Sequence, residues 1–264
     1  MKRQAKKISY ALIKPILTIG LFRKMISKLF IATKYFEETE ICNSITKDKT
    51  ILSGPFKGMR YHSFKSAGSV IIPKIIGSYE DELMSSLEKL FAKDYSEIID
   101  VGCAEGYYAI GLALKFPNAK VYAYDLDEQA RVLCNENAIE NNVTPRLEVA
   151  SFLDAIMLKQ FTFTKKGLLI CDCEGFEKQL FTEASVKNLN NCNLIIELHD
   201  CNDDTISKTI LPLFINTHKL SLIKSNPDKK LSNYPFIKKN GKLTDELLNE
   251  RNGIIMYWAV LEPL

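Results

Sequence analysis

Residues 97–127 read EIIDVGCAEGYYAIGLALKFPNAKVYAYDLD, and this stretch decides the fold. Ile98, Ile99 and Val101 form a short apolar run that ends among Asp100, Gly102 and Gly106. Tyr107–Lys115 then shows helical periodicity, and Val121–Tyr124 is a second strand closing on Asp125. The order is strand, glycine turn, helix, strand, carboxylate. Glycine lets the backbone of such a turn approach a ligand without a side chain between them. The helix behind the turn presents unpaired N–H groups, and a carboxylate about twenty residues further on can take two ribose hydroxyls.

The spacing of the glycines narrows the ligand. A dinucleotide fingerprint would read G-x-G-x-x-G after the strand. Here Ala104 stands between Gly102 and Gly106, and Gly111 falls inside the helix. The resulting D-x-G-x-x-x-G pattern resembles motif I of the class I S-adenosylmethionine methyltransferases. Such a cofactor has no pyrophosphate; its amino-acid end is zwitterionic and its sulfonium is a cation. Asp100 and Glu105 beside the turn, and Tyr107 and Tyr108 after it, suit a cationic ligand by charge and cation–π contact.

The chain of 264 residues can hold one α/β domain and an extension, with 46% apolar and 25% charged residues, as in soluble globular proteins. The net charge of +3 is unevenly spread: residues 1–30 carry eight positive charges and no acid, leaving −5 on the remainder. A body of that charge offers no general basic field, so nucleic acid is not expected as a partner. The seven cysteines are odd in number and scattered, with no C-x-x-C pair to support zinc; no metal is assigned, and ligand spacing leaves a divalent metal near Asp172 and Glu174 open without indicating it. Cys171 and Cys173 are expected to face opposite sides of one strand. Free thiols fit a reducing cytoplasm.

In chain order, residues 1–36 carry an amphipathic pattern, with Pro15 and Gly20 expected to bend the helix. Residues 1–50 read as a basic helical extension and 51–264 as the main domain. No uncharged run reaches about 18 residues, and the apolar region is split as a signal peptide would not be. The basic segment, residues 1–31, can pack on protein or make peripheral contact with the inner face of a membrane. Residues 51–80 read as a hairpin and loop, after which Ser78 caps a helix running to about Ala92. Further strands are expected at Arg146–Ala150, Gly167–Asp172, Asn193–His199, Leu220–Lys224 and Gly253–Leu261, with helices at Glu128–Asn141, Phe176–Asn188 and Asp203–Phe214. Strands alternating with helices predict a seven-stranded, mostly parallel Rossmann-like α/β sheet with helices on both faces, its last strand pair including one antiparallel member.

A second constellation lies at LLICDCEGFE, residues 168–177, where an apolar strand runs out at Asp172 and Glu174. Ligands in open α/β sheets sit at the carboxyl ends of the strands, so Asp100, Asp125, Asp172 and the acids of the fifth strand should converge. Glu197 and His199 alternate onto one face of that strand. A carboxylate inside an apolar strand requires a partner, structural or ligand.

Together GSYEDEL, IIDVGCAEGYYAIGLA, the acidic end of VYAYDLD, ICDCEGFE and IIELH resemble an FkbM-type methyltransferase over residues 51–200. The resemblance implies S-adenosylmethionine as cofactor and methyl transfer to a hydroxyl of a sugar, glycan or small natural product. It places Gly102, Cys103, Ala104 and Gly106 along the methionine end, with Glu80, Asp100 and Tyr107 on the same side. Asp125 would hold the ribose, Ser151 and Phe152 would border the adenine, and Asp172 would lie near the sulfonium; Leu126 is a further cofactor-binding candidate. Asp172, Glu174, Glu197 and His199 are the candidates for base or acceptor-orienting groups. Two departures stand out: Asp125 replaces a common glutamate followed by proline, and Cys171 a frequent lysine. The alternative is a SAM-fold protein without chemistry, recruited as a scaffold through its basic helix. Oligomeric state is not written in the sequence.

Overall fold

The computed structural model describes residue 33 and residues 35–237, 242–251 and 253–264. The helix expected over residues 1–36, with its bends and its membrane contact, lies for all but its last few residues outside the described residues. The chain divides into two compact units, Met1–Ile41 and Cys42–Leu264; the architecture below is that of the second.

Seven strands form one sheet: β1 (Glu97–Val101), β2 (Lys120–Tyr124), β3 (Leu147–Ala150), β4 (Gly167–Cys171), β5 (Cys192–Leu198), β6 (His218–Lys224) and β7 (Tyr257–Pro263). Their order is β3-β2-β1-β4-β5-β7-β6. The first five run parallel, and β7 is antiparallel to both its neighbours. This is the class I methyltransferase, Rossmann-like fold. Every residue of β1, β4 and β5 is buried, because central parallel strands are covered on both faces. The outer strands β3 and β6 are partly exposed. The order reverses between β1 and β4, which opens a crevice at their carboxyl ends.

Several local readings change. The hairpin within 51–80 reduces to one antiparallel bridge between Thr50 and Arg60. Ile71–Ile76 is instead a fully buried helix, with Pro73 in its first turn, where a missing N–H is tolerated. Ser78 does not cap the next helix: its hydroxyl donates to the Pro73 carbonyl at 3.5 Å. Glu80 adopts a left-handed conformation (φ 49°) and leads into a 3-10 turn, Asp81–Leu83, before the helix Met84–Phe91.

The single helix expected over Phe176–Asn188 is two short pieces, Glu177–Leu180 and Val186–Leu189. Between them Ser185 Oγ accepts from Thr182 N and donates to Leu180 O, each within 2.9 Å, so side chains take backbone partners a helix would need. The helix after β5 likewise shortens to Ile206–Ile210 and continues as 3-10 over Leu211–Phe214, where Pro212 lacks its N–H. Cys171 and Cys173 do not face apart; their sulfurs are 3.4 Å from one another, since positions two apart on an extended chain point the same way. Among the described residues no helix is long and apolar enough to cross a membrane.

Candidate active site

A cavity of about 420 Å³ opens at the carboxyl ends of β1, β2 and β4. The glycine turn forms one side of it. Gly102 N and Cys103 N both donate to the Tyr124 carbonyl, at 2.8 and 3.0 Å, which ties the turn to the end of β2. Gly102, Ala104 and Gly106 are all left-handed, at φ 84°, 48° and 93°. Asp125 braces this geometry: its carboxylate accepts from Ala104 N and from Asp127 N, each at 2.8 Å. Both bonds orient the carboxylate, and the residue still faces the cavity.

Of the residues expected to hold the cofactor, Glu80, Gly102, Cys103, Ala104, Tyr107, Asp125, Leu126, Ser151, Phe152 and Asp172 line the cavity. Asp100 and Gly106 stand behind it. Asp100 is 2% exposed and burial raises its carboxyl to about 7. Gly106 packs on Ile110 and Cys134, and a Cβ there would press on both. Glu105 does not wait for a cationic ligand either. It is buried against Lys74 Nζ at 2.5 Å and accepts from Ala67 N at 2.9 Å. Lys74 also lies 5.5 Å from the Tyr107 ring, so a protein cation already sits over that face.

At the far end of the cavity an acidic group gathers. Asp172, Glu174 and Glu197 line it, and His199 lies just behind, 3% exposed. His199 Nδ1 is 2.6 Å from Oε1 of the fully buried Glu177. Burial pulls the His199 pKa down, but the Glu177 hydrogen bond and the surrounding carboxylates outweigh it, so the net shift is upward. Burial, then repulsion from Glu197 and Glu80, raises the Asp172 carboxyl well above the ordinary range.

Four lining residues had no signal in the local sequence. Arg251 reaches Glu197 at 2.7 Å, Glu80 at 3.1 Å, Glu250 at 3.2 Å and Glu82 at 3.4 Å. Lys229 holds Glu250 at 2.6 Å and the Ser78 carbonyl at 2.7 Å. These contacts tie Lys229, Glu250 and Arg251 to the chain around Ser78–Glu82; Glu250 and Arg251 form part of the cavity wall, and Lys74 and Tyr79 come from the 51–80 segment. A lone arginine in a polar stretch carries no pattern; only a list of acids seeking a partner could have pointed to it.

The cavity suits S-adenosylmethionine. Gly102 cannot carry a Cβ where the methionine end would lie, because that atom would be driven into the Asp172 carbonyl. Asp125 stands just after β2 on the cavity wall. Phe152 is partly exposed and its ring lies 5.6 Å from Phe176, giving a flat base an aromatic wall. The carboxylates opposite suit a sulfonium. The fold is that of the class I methyltransferases, and the cavity has room and chemistry for S-adenosylmethionine.

The family model described as ribosomal protein L11 methyltransferase (PrmA) matches residues 82–170, about a third of the chain. The ribosomal protein L11 methyltransferase of Lachnospira eligens is 38% identical over 76 residues, 28% of this chain and 23% of that protein. The tRNA1(Val) (adenine(37)-N6)-methyltransferase of Pedobacter heparinus is 41% identical over 54 residues, 20% of this chain and 23% of that protein. The chain thus spans less than a quarter of the length of these relatives. Among solved structures, precorrin-6y C5,15-methyltransferase from Geobacter metallireducens is similar over 67% of this chain and 87% of its own, with TM-score 0.48 and 12% identity.

These relatives correct one expectation. The charge of −5 on the body was read as excluding nucleic acid, yet the matched segment is shared with a tRNA methyltransferase and a ribosomal protein methyltransferase. A summed charge averages over the whole surface and says nothing of the field at the mouth of one cavity. The exclusion does not stand.

Proposed function

We propose that this chain transfers the methyl group of S-adenosylmethionine to an acceptor hydroxyl. The observation that carries this reading is the carboxylate–histidine group of Asp172, Glu197 and His199, held by Glu177 across the cavity from Asp125. When bound, the cofactor supplies an electrophilic methyl on a sulfonium: the acceptor oxygen forms its bond to carbon as the carbon–sulfur bond breaks and sulfur keeps the pair. Asp125 would take the ribose hydroxyls and Phe152 the adenine face. Asp172, Glu174, Glu197 and His199 are the groups placed to take the hydroxyl proton or to orient the acceptor. Arg251 keeps Glu197 and Glu80 in place around Asp172. Positioning of the acceptor next to the methyl supplies the rest.

The D-x-E-G-x-E element at residues 172–177 supports an FkbM-type assignment; the matched family model ends at Ile170, before that element begins. A second reading places the acceptor on RNA or on a ribosomal protein, and the two named relatives favour it.

Labelling with tritiated S-adenosylmethionine tests both. The purified chain is incubated with tRNA, ribosomes, and glycan and small-molecule fractions, and the product is read by mass spectrometry. Methyl on oxygen, lost in Asp172→Asn while S-adenosylhomocysteine still binds, is the expected result. Methyl on nitrogen would replace the hydroxyl reading, and no transfer to any fraction by protein that binds S-adenosylhomocysteine would sink the enzyme reading.

A further inference from the structure

The acidic group beyond Asp172 has an arrangement that proton transfer alone does not explain. Glu177 is fully buried and its Oε1 lies 2.6 Å from His199 Nδ1. A carboxylate there calls for a proton on Nδ1 and turns Nε2 toward the cavity. Around Nε2 stand Asp172 Oδ1 at 3.4 Å, Glu174 Oε2 at 3.5 Å and Glu197 Oε2 at 3.6 Å. All are acceptors, and all lie beyond a well-formed hydrogen bond. Asp172 Oδ1 is itself buried with no hydrogen-bond partner.

The charges do not balance either. Glu80 and Glu197 already share the Arg251 guanidinium. Among the described residues, the ion-pair partner of Asp172, Glu174 and Glu177 is in each case His199 alone. One imidazole faces three carboxylates, and Nε2 of a histidine only 3% exposed lies among carboxylate oxygens. A buried group left in this way calls for a missing partner, here a cation.

We propose that Asp172 Oδ1, Glu174 Oε2 and His199 Nε2 bind a divalent first-row cation such as Mn²⁺, with Glu177 orienting the histidine from behind. The three ligand atoms lie within 4.8 Å of one another. Glu174 is largely exposed, so its side chain is free to close the remaining distance. Two carboxylates and an imidazole suit Mn²⁺ or its neighbours better than Ca²⁺, which prefers oxygen ligands alone. A carboxylate on the far nitrogen of a ligating histidine is the recurring outer-shell support of such sites. Resting on the methyltransfer reading, the cation would hold an acceptor oxygen beside the transferred methyl and leave positions open for it.

The test is Mn²⁺ titration of the full chain, followed by loss of the free Mn²⁺ signal in electron paramagnetic resonance and by calorimetry, with and without S-adenosylhomocysteine. One equivalent bound in the micromolar range is expected. Glu174→Gln, on an exposed side chain that cannot disturb folding, should weaken it at least tenfold, and Glu177→Gln by about 10- to 100-fold. Folded wild-type protein that binds S-adenosylhomocysteine but takes up no Mn²⁺ at millimolar concentration would overturn this site and leave the donor site standing. Uptake unchanged in both variants would overturn it too. Mn²⁺ taken up by protein that binds no S-adenosylhomocysteine would support the metal site and count against the donor reading instead.

Discussion

Gly102 at the end of β1 lies directly against the backbone carbonyl of Asp172 at the end of β4. The turn that would cradle the donor and the acid that would meet the acceptor are thus in van der Waals contact across the point where the strand order reverses. Gly102 is also left-handed, at φ 84°. Gly102→Ala must therefore strain the backbone and push Asp172 away, at a cost of about 1–3 kcal/mol for the conformation alone. We expect a lower melting temperature and no measurable S-adenosylhomocysteine binding by calorimetry. Wild-type affinity in this variant would show that the two strand ends can part without consequence.

Asp125 is tied to the turn by two backbone N–H groups, at Ala104 and Asp127. Asp125→Ala removes both bonds and the acceptor for the ribose. Hydrogen bonds to a charged group are worth about 1.5–3 kcal/mol each, so the affinity for S-adenosylhomocysteine should fall by about 10- to 100-fold. Asp125→Asn keeps one acceptor oxygen and should lie between. An unaltered dissociation constant in the alanine variant would remove Asp125 from the donor site.

Arg251 is the counter-charge of the buried Glu80 and Glu197 and lies 5.8 Å from the Trp258 ring. Arg251→Ala leaves the buried Glu197 without its cation, and breaking a buried pair in this way costs about 3–5 kcal/mol. Urea denaturation should register that loss in the midpoint. Arg251→Lys cannot reproduce the forked contact to two carboxylates and should recover only part of it. A midpoint unchanged in the alanine variant would mean that the buried carboxylates around Arg251 are satisfied without it.

Stability should also depend on pH in a stated direction. Burial, opposed by Arg251 and aided by Glu197 and Glu250, raises Glu80 to about 8. Burial raises Glu250 and Asp100 to about 7 each. In the unfolded chain these carboxyls titrate near 4. Raised folded values mean that the native state holds protons the unfolded state has lost. The stabilisation is complete below about pH 4 for these groups and disappears as pH rises through 7 to 8. The melting temperature should therefore fall between pH 6 and pH 9, and Glu80→Gln should flatten the upper part of that fall. A melting temperature that rises over this range would contradict the assignment.

What could be read from the chain alone was local in origin. The glycine turn, the helix behind it and Asp125 lie within 31 consecutive residues, and spacing along the chain reports their geometry directly. The buried runs of β1, β4 and β5 likewise mark central strands wherever they occur, so the fold and most residues around its cavity were legible. Local rules failed where side chains competed for backbone partners, as Thr182 and Ser185 do in breaking an expected helix. They also failed at Ser78, whose hydroxyl found a carbonyl behind it instead of a helix ahead.

The tertiary structure alone decided what faces what. Asp100 and Gly106 belong to the motif yet stand behind the cavity, and Glu105 is neutralised by Lys74, 31 residues earlier. Arg251 meets Glu80 across 171 positions of sequence, and Glu177 meets His199 across 22. Periodicity records which face of an element is buried, but two charges brought together by different elements leave no trace in either one's pattern. Their pairing depends on the strand order, the reversal between β1 and β4, and the return of Lys229, Glu250 and Arg251 to the chain around Ser78–Glu82. The sequence determined the sheet and the donor turn; three-dimensional packing determined the partners of the buried charges, because electrostatic interaction depends on distance in space and on burial, not on separation along the chain.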